Sequence, residues 1–425
     1  MQPSSDHCLL WLRRDLRLAD SPAAREAFGY PRITVAYLDD GNAAVVPTPA
    51  RQNAIANALS RIERTTVGRA CTVRRVSGLA SDEIPRLAAE VGAGVVVTNH
   101  AIGDAQEWAD ERACAKILRS DGVRYDSFAH DAIRRGSRRT PQPFLTPLKT
   151  AGGAGRPDGA QRRLGAFLDR LAASRYAQDM WRPGPDRQAS SQMSLDLAIG
   201  TLAGDRVLHE TAIRAERAVG FERACLAQLA ARLQWRIQFR QLYEDNTSEF
   251  PSGPESEETP DAARHLALWR SGATGVPLID ATMRDLAATG WVNFRLRQTV
   301  ASFALDLLGL DPWHVGMVLA SVFNDYDPAI HWPQIMLQAG KLAPERGPRV
   351  INPIKQGRDL DADESYVRHW SPELVSVPAG FGHEPWRHPA WRGPPPMIDL
   401  IQAAIAARKR HGSPRPSSDQ QTRLL

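Results

Sequence analysis

An arginine-rich segment and an acidic turn in the second half of the chain carry the side chains best suited to chemistry. Arg297 ends the segment NFRLR, and about thirty residues later the turn NDYDP contains Asp325 and Asp327. A guanidinium held by a carboxylate can stabilise negative charge on a bound group. By residue type alone, an ordinary salt bridge between two helices explains such a pair at least as well.

A serine-rich segment is the second candidate. Hydroxyl side chains recur between Ser190 and Thr201 in the sequence SSQMSLDLAIGT. Hydroxyls and backbone N–H groups that enter a helix can form an anion cradle. Taken alone, serines at this density more often mark a loop that ends in a helix N-cap.

The first part of the chain alternates strand patterns with helical patterns. Short runs rich in β-branched residues predict strands at Cys8–Leu12, Ile33–Leu38, Cys71–Val76, Gly94–Thr98 and Val123–Ala129. Helical patterns lie between them at Arg51–Arg64, Asp82–Val91 and Asp104–Leu118. This alternation predicts an α/β domain with a doubly wound, parallel, five-stranded sheet. Neither GxGxxG after the first strand nor GxxxxGK occurs, which excludes a dinucleotide fingerprint and a P-loop.

From about Arg206 onward the pattern is almost wholly helical, and it predicts an all-α domain. The clearest helical periodicity falls at Phe221–Tyr243, Val276–Ala288, Asn293–Leu308 and Val315–Phe323. We therefore expect an α/β domain over residues 1–130, a connector over 131–190 and a helical domain over 191–400. Residues 401–425 are expected to form a terminal helix and a polar tail without stable structure.

Composition narrows the class of protein. The 425 residues are 43% hydrophobic and 24% charged, as in ordinary globular domains. The four cysteines form no CxxC pair, so we predict no metal site and a reducing, cytoplasmic environment. We expect no signal peptide, no membrane span and a monomer. The net charge of +5 permits nucleic-acid binding, although the arginine excess is explained as well by a GC-rich genome.

Three motifs in order resemble the photolyase/cryptochrome family. They are PLIDAxMRxLxxTGW from Pro277, NFRLRxxVASF from Asn293, and the DxD turn at Asp325. The opening LLWLRRDLRLADSPAAREA and the stretch from Ile351 to Trp386 are similar to the same family, so the resemblance covers about nine-tenths of the chain. It is weakest between residues 131 and 230. The resemblance implies an α/β domain followed by an all-helical domain that binds FAD.

The resemblance assigns the flavin site. It implies that the segment from Ser190 holds the FAD diphosphate, with a glutamine where the family has an arginine. It implies that Arg297 lies over the flavin and pairs with Asp325, while Asp327 contacts the ribityl chain and the ring edge. His331 falls opposite the flavin N5, where photolyases usually carry asparagine, and could donate a proton or merely pack. The expected cofactor-binding residues are Ser190, Ser191, Gln192, Met193, Ser194, Arg297, Asp325, Asp327 and His331.

The resemblance also implies a slot for a flipped pyrimidine dimer. Trp235 matches the stacking tryptophan, and Arg232, one helical turn earlier, replaces a glutamate that hydrogen-bonds the dimer. Arg295 and Arg349 match residues that grip DNA phosphates. Phe294 and Gln298 replace an asparagine and a methionine of the slot, and Leu337 replaces a second tryptophan. The expected DNA-binding residues are Trp235, Arg295, Arg349, Phe294 and Gln298, and the expected catalytic residues are Trp235, Arg232, His331 and Arg297.

The photoreduction relay departs from the family. Trp313 lies within one residue of the middle relay position, but Ile335 and Thr259 occupy the other two. Trp332, Trp291 and Tyr326 could serve instead, although tryptophans in helical cores more often pack. An antenna chromophore, a folate or a deazaflavin, is allowed by the resemblance, with no residues assigned to it.

The family match predicts a FAD-dependent, light-driven DNA-repair enzyme of the photolyase type, with damaged DNA as its partner. A cryptochrome-like blue-light photoreceptor is the first alternative. Different flavin chemistry on a small substrate is the second, and the changes at Arg232, Phe294 and Leu337 favour it. A nucleotidyl-transferring or amide-forming enzyme is disfavoured, since neither an HxGH nor an SGGxDS element occurs.

Overall fold

The structure of the protein is a computed structural model that describes residues 4–39, 44–100, 102–131, 133, 159–171, 173–184, 190–342 and 349–411. The chain divides into two units. The first comprises Met1–Met180, Arg187–Phe250 and Ala320–Trp332, and the second comprises Trp181–Asp186, Pro251–Leu319 and Pro333–Leu425. The domain limits expected at residues 130, 190 and 400 remain predictions.

Within the described residues, the strands of the first unit form one parallel sheet. They are β1 (Ser4–Leu12), β2 (Arg32–Asp39), β3 (Cys71–Ser77), β4 (Ala93–Asn99) and β5 (Arg124–Phe128). Their order is β3-β2-β1-β4-β5, and every neighbouring pair is parallel. This confirms the predicted doubly wound, five-stranded α/β domain.

Helices cover both faces of this sheet. The helices that begin in the first unit before residue 250 are α1 (Pro22–Ala27), α2 (Pro49–Thr66), α3 (Ala80–Val91), α4 (Ala105–Ser120), α5 (Gly159–Leu171), α6 (Tyr176–Asp179), α7 (Ser194–Ile199), α8 (Gly204–Arg217) and α9 (Gly220–Asp245). Helices α5 and α6 lie within the stretch expected to be a connector.

The period-2 alternation of β1 builds two apolar cores. Cys8, Leu10 and Leu12 pack in one cluster with residues of α1 and α2. Leu9 and Trp11 pack in the other cluster with residues of α3 and α4. Burial on both faces explains why the strand sequence is almost continuously apolar.

The second unit is helical. Its elements are α10 (Pro260–Ser271), α11 (Pro277–Thr289), α12 (Phe294–Ser302), α13 (Pro312–Val322), α14 (Pro328–Gln338), α15 (Pro353–Leu360), α16 (Ser365–Trp370) and α17 (Leu400–His411), of which α13 and α14 also contribute to the first unit. Helix α17 extends to His411, and the rest of the expected polar tail, from residue 412 onward, lies outside the described residues. In the described part of the chain, no helix is both long enough and apolar enough to cross a bilayer.

One predicted helix is only partly regular. The stretch Asn293–Leu308, for which the sequence predicts helical periodicity, is helical throughout most of its length: α12 ends at Ser302 and a π-helical turn follows over Phe303–Leu307. The Leu308 N–H donates to the Phe303 carbonyl, five residues earlier, at 2.9 Å. Such a widened turn keeps the apolar residues buried, so the sequence pattern does not distinguish it from an α-helix.

Gly200 allows α7 to lie against the loop after β1. Its φ of 75° is in the left-handed region, and a Cβ atom there would collide with the Arg14 backbone carbonyl. The Leu16 N–H donates to the Ile199 carbonyl at 3.2 Å across this approach. Only glycine satisfies both requirements, so Gly200 fixes the position of the preceding serine-rich segment.

Candidate functional site

The serine-rich segment is held firmly in the first unit. The buried Asp196 of α7 accepts a hydrogen bond from Arg163 Nε at 3.0 Å and one from Thr201 Oγ1 at 2.7 Å. Arg170 donates to the Ser190 carbonyl at 3.3 Å. These contacts fix the polypeptide on both sides of the predicted phosphate-binding residues.

Within this segment Gln192 has an unusual conformation. Its φ of 54° is left-handed, its side chain is exposed, and its amide donates to Ser190 Oγ. Met193, the next residue, is buried at 1% exposure, while Ser190, Ser191 and Ser194 are half-buried. The hydroxyls are therefore accessible next to the start of α7. Phosphate binding by this segment remains a prediction.

Four charged groups meet in the interior of the first unit, and we call them the Asp131 cluster: Asp131, Arg236, Arg240 and Asp327. Arg236 Nη1 donates to Asp131 at 2.7 Å, and Arg240 binds the same carboxylate. On the Asp327 side, Oδ2 lies 3.5 Å from Arg236 Nη2 and 3.7 Å from Arg240 Nε. Two buried cations thus lie between two buried carboxylates.

Helix geometry and local charge explain this cluster. Arg236 and Arg240 are four residues apart on α9, so their side chains share one face. Burial by itself would raise the pKa of Asp131, but the charges of Arg236 and Arg240 hold it well below its usual range. Burial lowers the pKa of Arg240, and the like charge of Arg236 adds to this. The two arginines therefore stabilise the ionised form of the Asp131 carboxylate.

The acidic turn is anchored to α2. Thr48 Oγ1 donates to Asn324 Oδ1 at 2.6 Å, and Arg51 donates to the Tyr326 carbonyl at 2.5 Å. Asp327 Oδ1 accepts the Ala329 N–H at 3.1 Å, which caps the start of α14. The helix cap and the arginine pair together leave Asp327 little freedom to rotate.

His331 is buried among aromatic rings. Its imidazole packs edge-on against Phe323, Tyr326 and Trp332, with ring centroids 6.0, 5.3 and 5.3 Å away. Both interpretations of His331, proton donor or packing residue, remain predictions. Trp332, a candidate substitute for the relay, is buried. Of the two residues that replace relay tryptophans, Ile335 is buried and Thr259 caps α10 by accepting the Ala262 N–H at 3.2 Å.

Arg232 and Trp235 lie on α9 and are both half-buried. The Trp235 ring packs against Phe239, with centroids 5.7 Å apart and planes tilted by 31°. Burial lowers the pKa of the Arg232 guanidinium, and the Tyr176 hydroxyl offsets this in part. Phe239, one turn after Trp235, is an aromatic neighbour that was not among the predicted residues.

In the second unit, Asn293 organises the start of α12. Its Oδ1 accepts the Leu296 N–H at 3.1 Å as an N-cap, and its Nδ2 donates to the Trp181 carbonyl at 3.0 Å. Arg297 Nε donates to the Val292 carbonyl at 2.9 Å, one turn earlier. This hydrogen bond fixes the guanidinium of Arg297 at its Nε atom. The pairing of Arg297 with Asp325 remains a prediction.

Phe294 and Arg295, at the start of α12, both contact Trp181. The Arg295 guanidinium carbon lies 5.2 Å from the centroid of the Trp181 indole. The Phe294 ring meets the same indole edge-on, with centroids 6.2 Å apart. We call Trp181, Phe294 and Arg295 the Trp181 cluster.

The backbone of Arg349 is anchored by a buried network, which we call the Asp306 network: Ser302, Asp306, Gln338 and His411. Asp306, fully buried in the π-helical turn, accepts from Ser302 Oγ and Gln338 Nε2, both at 2.7 Å. His411 Nε2 lies 3.2 Å from the same carboxylate. Gln338 Nε2 also donates to the Arg349 carbonyl at 3.1 Å, and Ser302 Oγ accepts the Ile351 N–H at 3.0 Å. The exposed Arg349 side chain thus projects from a fixed backbone.

Sequence reasoning missed the partners of the predicted residues. Arg236 and Arg240 were not singled out, although two arginines four residues apart lie on one face of a helix and are a usable signal. Trp181 and the Asp306 network gave no comparable signal, because their contacts join distant parts of the sequence.

Family models match both parts of the chain. The model described as DNA photolyase matches residues 8–139, and the one described as the FAD binding domain of DNA photolyase matches residues 228–411. The helical part therefore contains a FAD-binding domain.

Named relatives include both branches of this group. A cryptochrome DASH from Gloeobacter violaceus is 36% identical over 254 residues, which cover 53% of this chain and 50% of the relative. A deoxyribodipyrimidine photo-lyase from Streptomyces griseus is 33% identical over 238 residues, which cover 53% of this chain and 49% of the relative. The matched part of the chain thus spans about half the length of these relatives.

Solved structures share the fold. A cryptochrome from Synechocystis sp. PCC6803 superposes with a TM-score of 0.81 at 23% identity, covering 96% of this chain and all of the other. A class III photolyase from Agrobacterium tumefaciens superposes with a TM-score of 0.78 at 23% identity, covering 97% and 99%. At these identities the likeness concerns the fold alone.

The chemistry of the donors suits FAD. Arg240 Nε is buried beside Asp327 and has no hydrogen-bond partner among the described residues. In α12, the buried Oε1 of Gln298 also lacks a partner in the described part of the chain. Serine hydroxyls suit a diphosphate, and a carboxylate with a nearby unsatisfied N–H suits a polyhydroxyl chain. The residues present therefore fit the cofactor of the matched domain.

Proposed function

Because the chain belongs to the photolyase/cryptochrome family, we propose that it is a light-driven DNA-repair flavoprotein that acts on cyclobutane pyrimidine dimers. The observation that carries the proposal is the position of Arg232 on α9, three residues before Trp235. Both side chains are half-buried and one turn apart, and burial lowers the pKa of the guanidinium. An indole face next to a partly desolvated cation suits a stacked pyrimidine that offers carbonyl oxygens.

Each residue has a distinct part in this proposal. When bound in its reduced form, FAD would supply the electron that light transfers to the dimer and would recover it after the two bonds of the cyclobutane ring break, so that the net reaction is redox-neutral. Trp235 stacks on the dimer, and Arg232 donates hydrogen bonds to its pyrimidine carbonyls. Because these oxygens gain negative charge during the reaction, a fixed cation there lowers the barrier by up to a few kcal/mol. Arg295 and Arg349 hold the DNA backbone through phosphates.

A repair assay with reduced, illuminated protein tests the proposal. A thymine oligonucleotide carrying dimers is the substrate, and the recovery of thymine absorbance is the measurement. Arg232→Ala should reduce repair per photon about tenfold or more with little change in binding, whereas Trp235→Ala should mainly weaken binding. Arg232→Glu, which restores the family residue, should keep part of the activity.

The matched control is Arg223→Ala, because Arg223 is an exposed arginine on the same helix. It should repair dimers as well as the wild type does. Absence of repair by wild-type protein with fully reduced FAD would contradict the proposal.

A cryptochrome-like photoreceptor is the second candidate function. The 36% identity to a cryptochrome DASH over 53% of this chain supports it. This candidate predicts a light-dependent change in the flavin absorption spectrum without dimer repair. Different flavin chemistry on a small substrate predicts turnover that needs no DNA.

A further inference from the structure

The Trp181 cluster combines two aromatic rings and one cation at the first turn of α12. Arg295 lies over the Trp181 indole at 5.2 Å, and Phe294 meets its edge at 6.2 Å. All three side chains are half-buried. Cation–π attraction favours this placement of the guanidinium over the many others that an arginine side chain can adopt.

The cluster has a rigid base. The Asn293 side chain caps α12 through Oδ1 and binds the Trp181 carbonyl through Nδ2. One side chain therefore fixes both the helix that carries Arg295 and the segment that carries Trp181. The two remain aligned although they are far apart in the sequence.

The chemical groups of the Trp181 cluster indicate which class of ligand it binds. A guanidinium binds a phosphate, aromatic faces bind a base or sugar, and the first turn of a helix adds a favourable field for an anion. A polynucleotide offers phosphate and base at a regular short spacing, whereas an acidic peptide offers charge without a stacking surface.

We propose that Trp181 is a positioning residue for DNA binding: it holds Arg295 against a backbone phosphate, and with Phe294 it presents an aromatic surface to the adjoining nucleotide. This inference rests on the proposed DNA-binding function. It assigns a role to a residue that precedes the helical domain in sequence.

Binding of a thymine oligonucleotide, measured over a range of salt concentrations, tests this role. Trp181→Leu should weaken binding about tenfold and lower the slope of log affinity against log salt by about one, as Arg295→Ala does. The double variant should show no further loss of slope, because both changes remove the same phosphate contact. Trp181→Phe should keep affinity within about threefold of wild type, since it retains an aromatic face.

The controls separate this inference from protein damage. Trp391→Leu removes a half-buried tryptophan elsewhere in the second unit and should bind like wild type. Thermal unfolding of Trp181→Leu should match that of Trp391→Leu. If the two melting temperatures differ, the comparison of Trp181→Phe with Arg295→Ala still decides the question, since the first keeps an aromatic ring and the second leaves Trp181 in place.

Three outcomes would overturn the inference. One is a Trp181→Leu variant with wild-type affinity and salt slope. Another is a Trp181→Phe variant that binds DNA as weakly as Trp181→Leu does. The third is that polyglutamate of matched charge competes for the protein as well as DNA does. Dimer repair by a Trp181→Leu variant with wild-type binding would remove this inference and leave the proposed function intact. If the wild-type protein binds DNA in a way that depends on Trp181 but does not repair dimers, the proposed repair function falls and this inference stands.

Discussion

At the scale of single residues, the structure defines the surroundings of Asp327 most completely. Its two oxygens have different partners: Oδ1 caps α14, and Oδ2 faces Arg236 and Arg240. If Asp327 contacts the ribityl chain as predicted, a carboxylate fixed in this way needs no reorganisation to accept a hydrogen bond from a ribityl hydroxyl. Arg297 is fixed at its Nε in a similar manner by the Val292 carbonyl.

Replacing Arg297 tests the cofactor assignment. Arg297→Ala should lower affinity for FAD about tenfold, the effect of losing a charge-assisted hydrogen bond worth about 1.5 kcal/mol. The ratio of flavin to protein absorbance after purification measures the change. Arg270→Ala, which removes an exposed arginine of α10, should keep the wild-type ratio. Full FAD occupancy in Arg297→Ala would contradict the assignment.

Removing Arg236 tests how far the Asp131 cluster depends on having equal numbers of buried positive and negative charges. Arg236→Leu leaves two buried carboxylates with one arginine, so the free energy of unfolding should fall by about 3 kcal/mol, measured by urea denaturation. Adding Asp131→Asn to this variant should restore part of the loss, because asparagine still accepts the Gly204 N–H that Asp131 binds at 2.6 Å. A double variant less stable than Arg236→Leu would show that Asp131 stabilises the fold by another route.

At the scale of elements, the π-helical turn at Phe303–Leu307 connects several segments of the second unit. Asp306 binds Ser302, Gln338 and His411, and through them reaches the end of α12, the end of α14 and the end of α17. The same side chains hold the backbone at Arg349 and Ile351. π-Helical turns often occur where a helix has an additional structural or functional role of this kind.

Ser302→Ala tests this connection. The change removes a donor to buried Asp306 and an acceptor for the Ile351 N–H, so stability should fall by about 1–3 kcal/mol. Affinity for DNA should also fall if Arg349 binds phosphate, because its backbone loses an anchor. Ser376→Ala, at an exposed serine that donates to the Glu373 carbonyl, should change stability by less than about 0.5 kcal/mol. Equal stability of the two variants would rule out a structural role for the Ser302 hydroxyl.

At the scale of the whole molecule, buried charge makes stability depend on pH. Burial, reinforced by the charge of Arg17, lowers the pKa of His130 to about 4 from an ordinary value of 6.5. The pKa of the neighbouring Asp131 is held well below its ordinary value by Arg236 and Arg240, despite its burial. In both cases the unfolded chain binds protons at a higher pH than the folded chain does, so acid favours unfolding.

The expected result is a melting temperature that falls as pH decreases. The His130 contribution is complete above pH 6.5 and is lost as pH falls to about 4, for a total of at most about 3 kcal/mol. The Asp131 contribution is lost only at lower pH. Thermal unfolding of wild type and His130→Gln between pH 7 and pH 4 measures the first effect, since the variant should show a shallower decline. Parallel curves for the two proteins would contradict it.

The sequence by itself determined the sheet, the helical character of the second half and the family. Strand and helix periods are local properties, so each strand from Cys8 to Phe128 could be predicted within a few residues, with parallel order following from the intervening helices. The motifs near Arg297 and Asp325 identified the family because their order along the chain is itself informative, and the flavin-contacting roles of these residues remain predictions. The helical periodicity through Leu308 did not reveal the π-helical turn, because a change of hydrogen-bond spacing leaves the apolar pattern intact.

Only the tertiary structure decided which distant residues support the predicted ones. Asp131 meets Arg236 across 105 positions of sequence, and Asn293 meets Trp181 across 112. Such pairs depend on how whole elements pack, and no local period or motif spacing encodes them. The sequence therefore named residues such as Asp327 and Arg295, while packing brought buried arginines beside the first and an indole beneath the second.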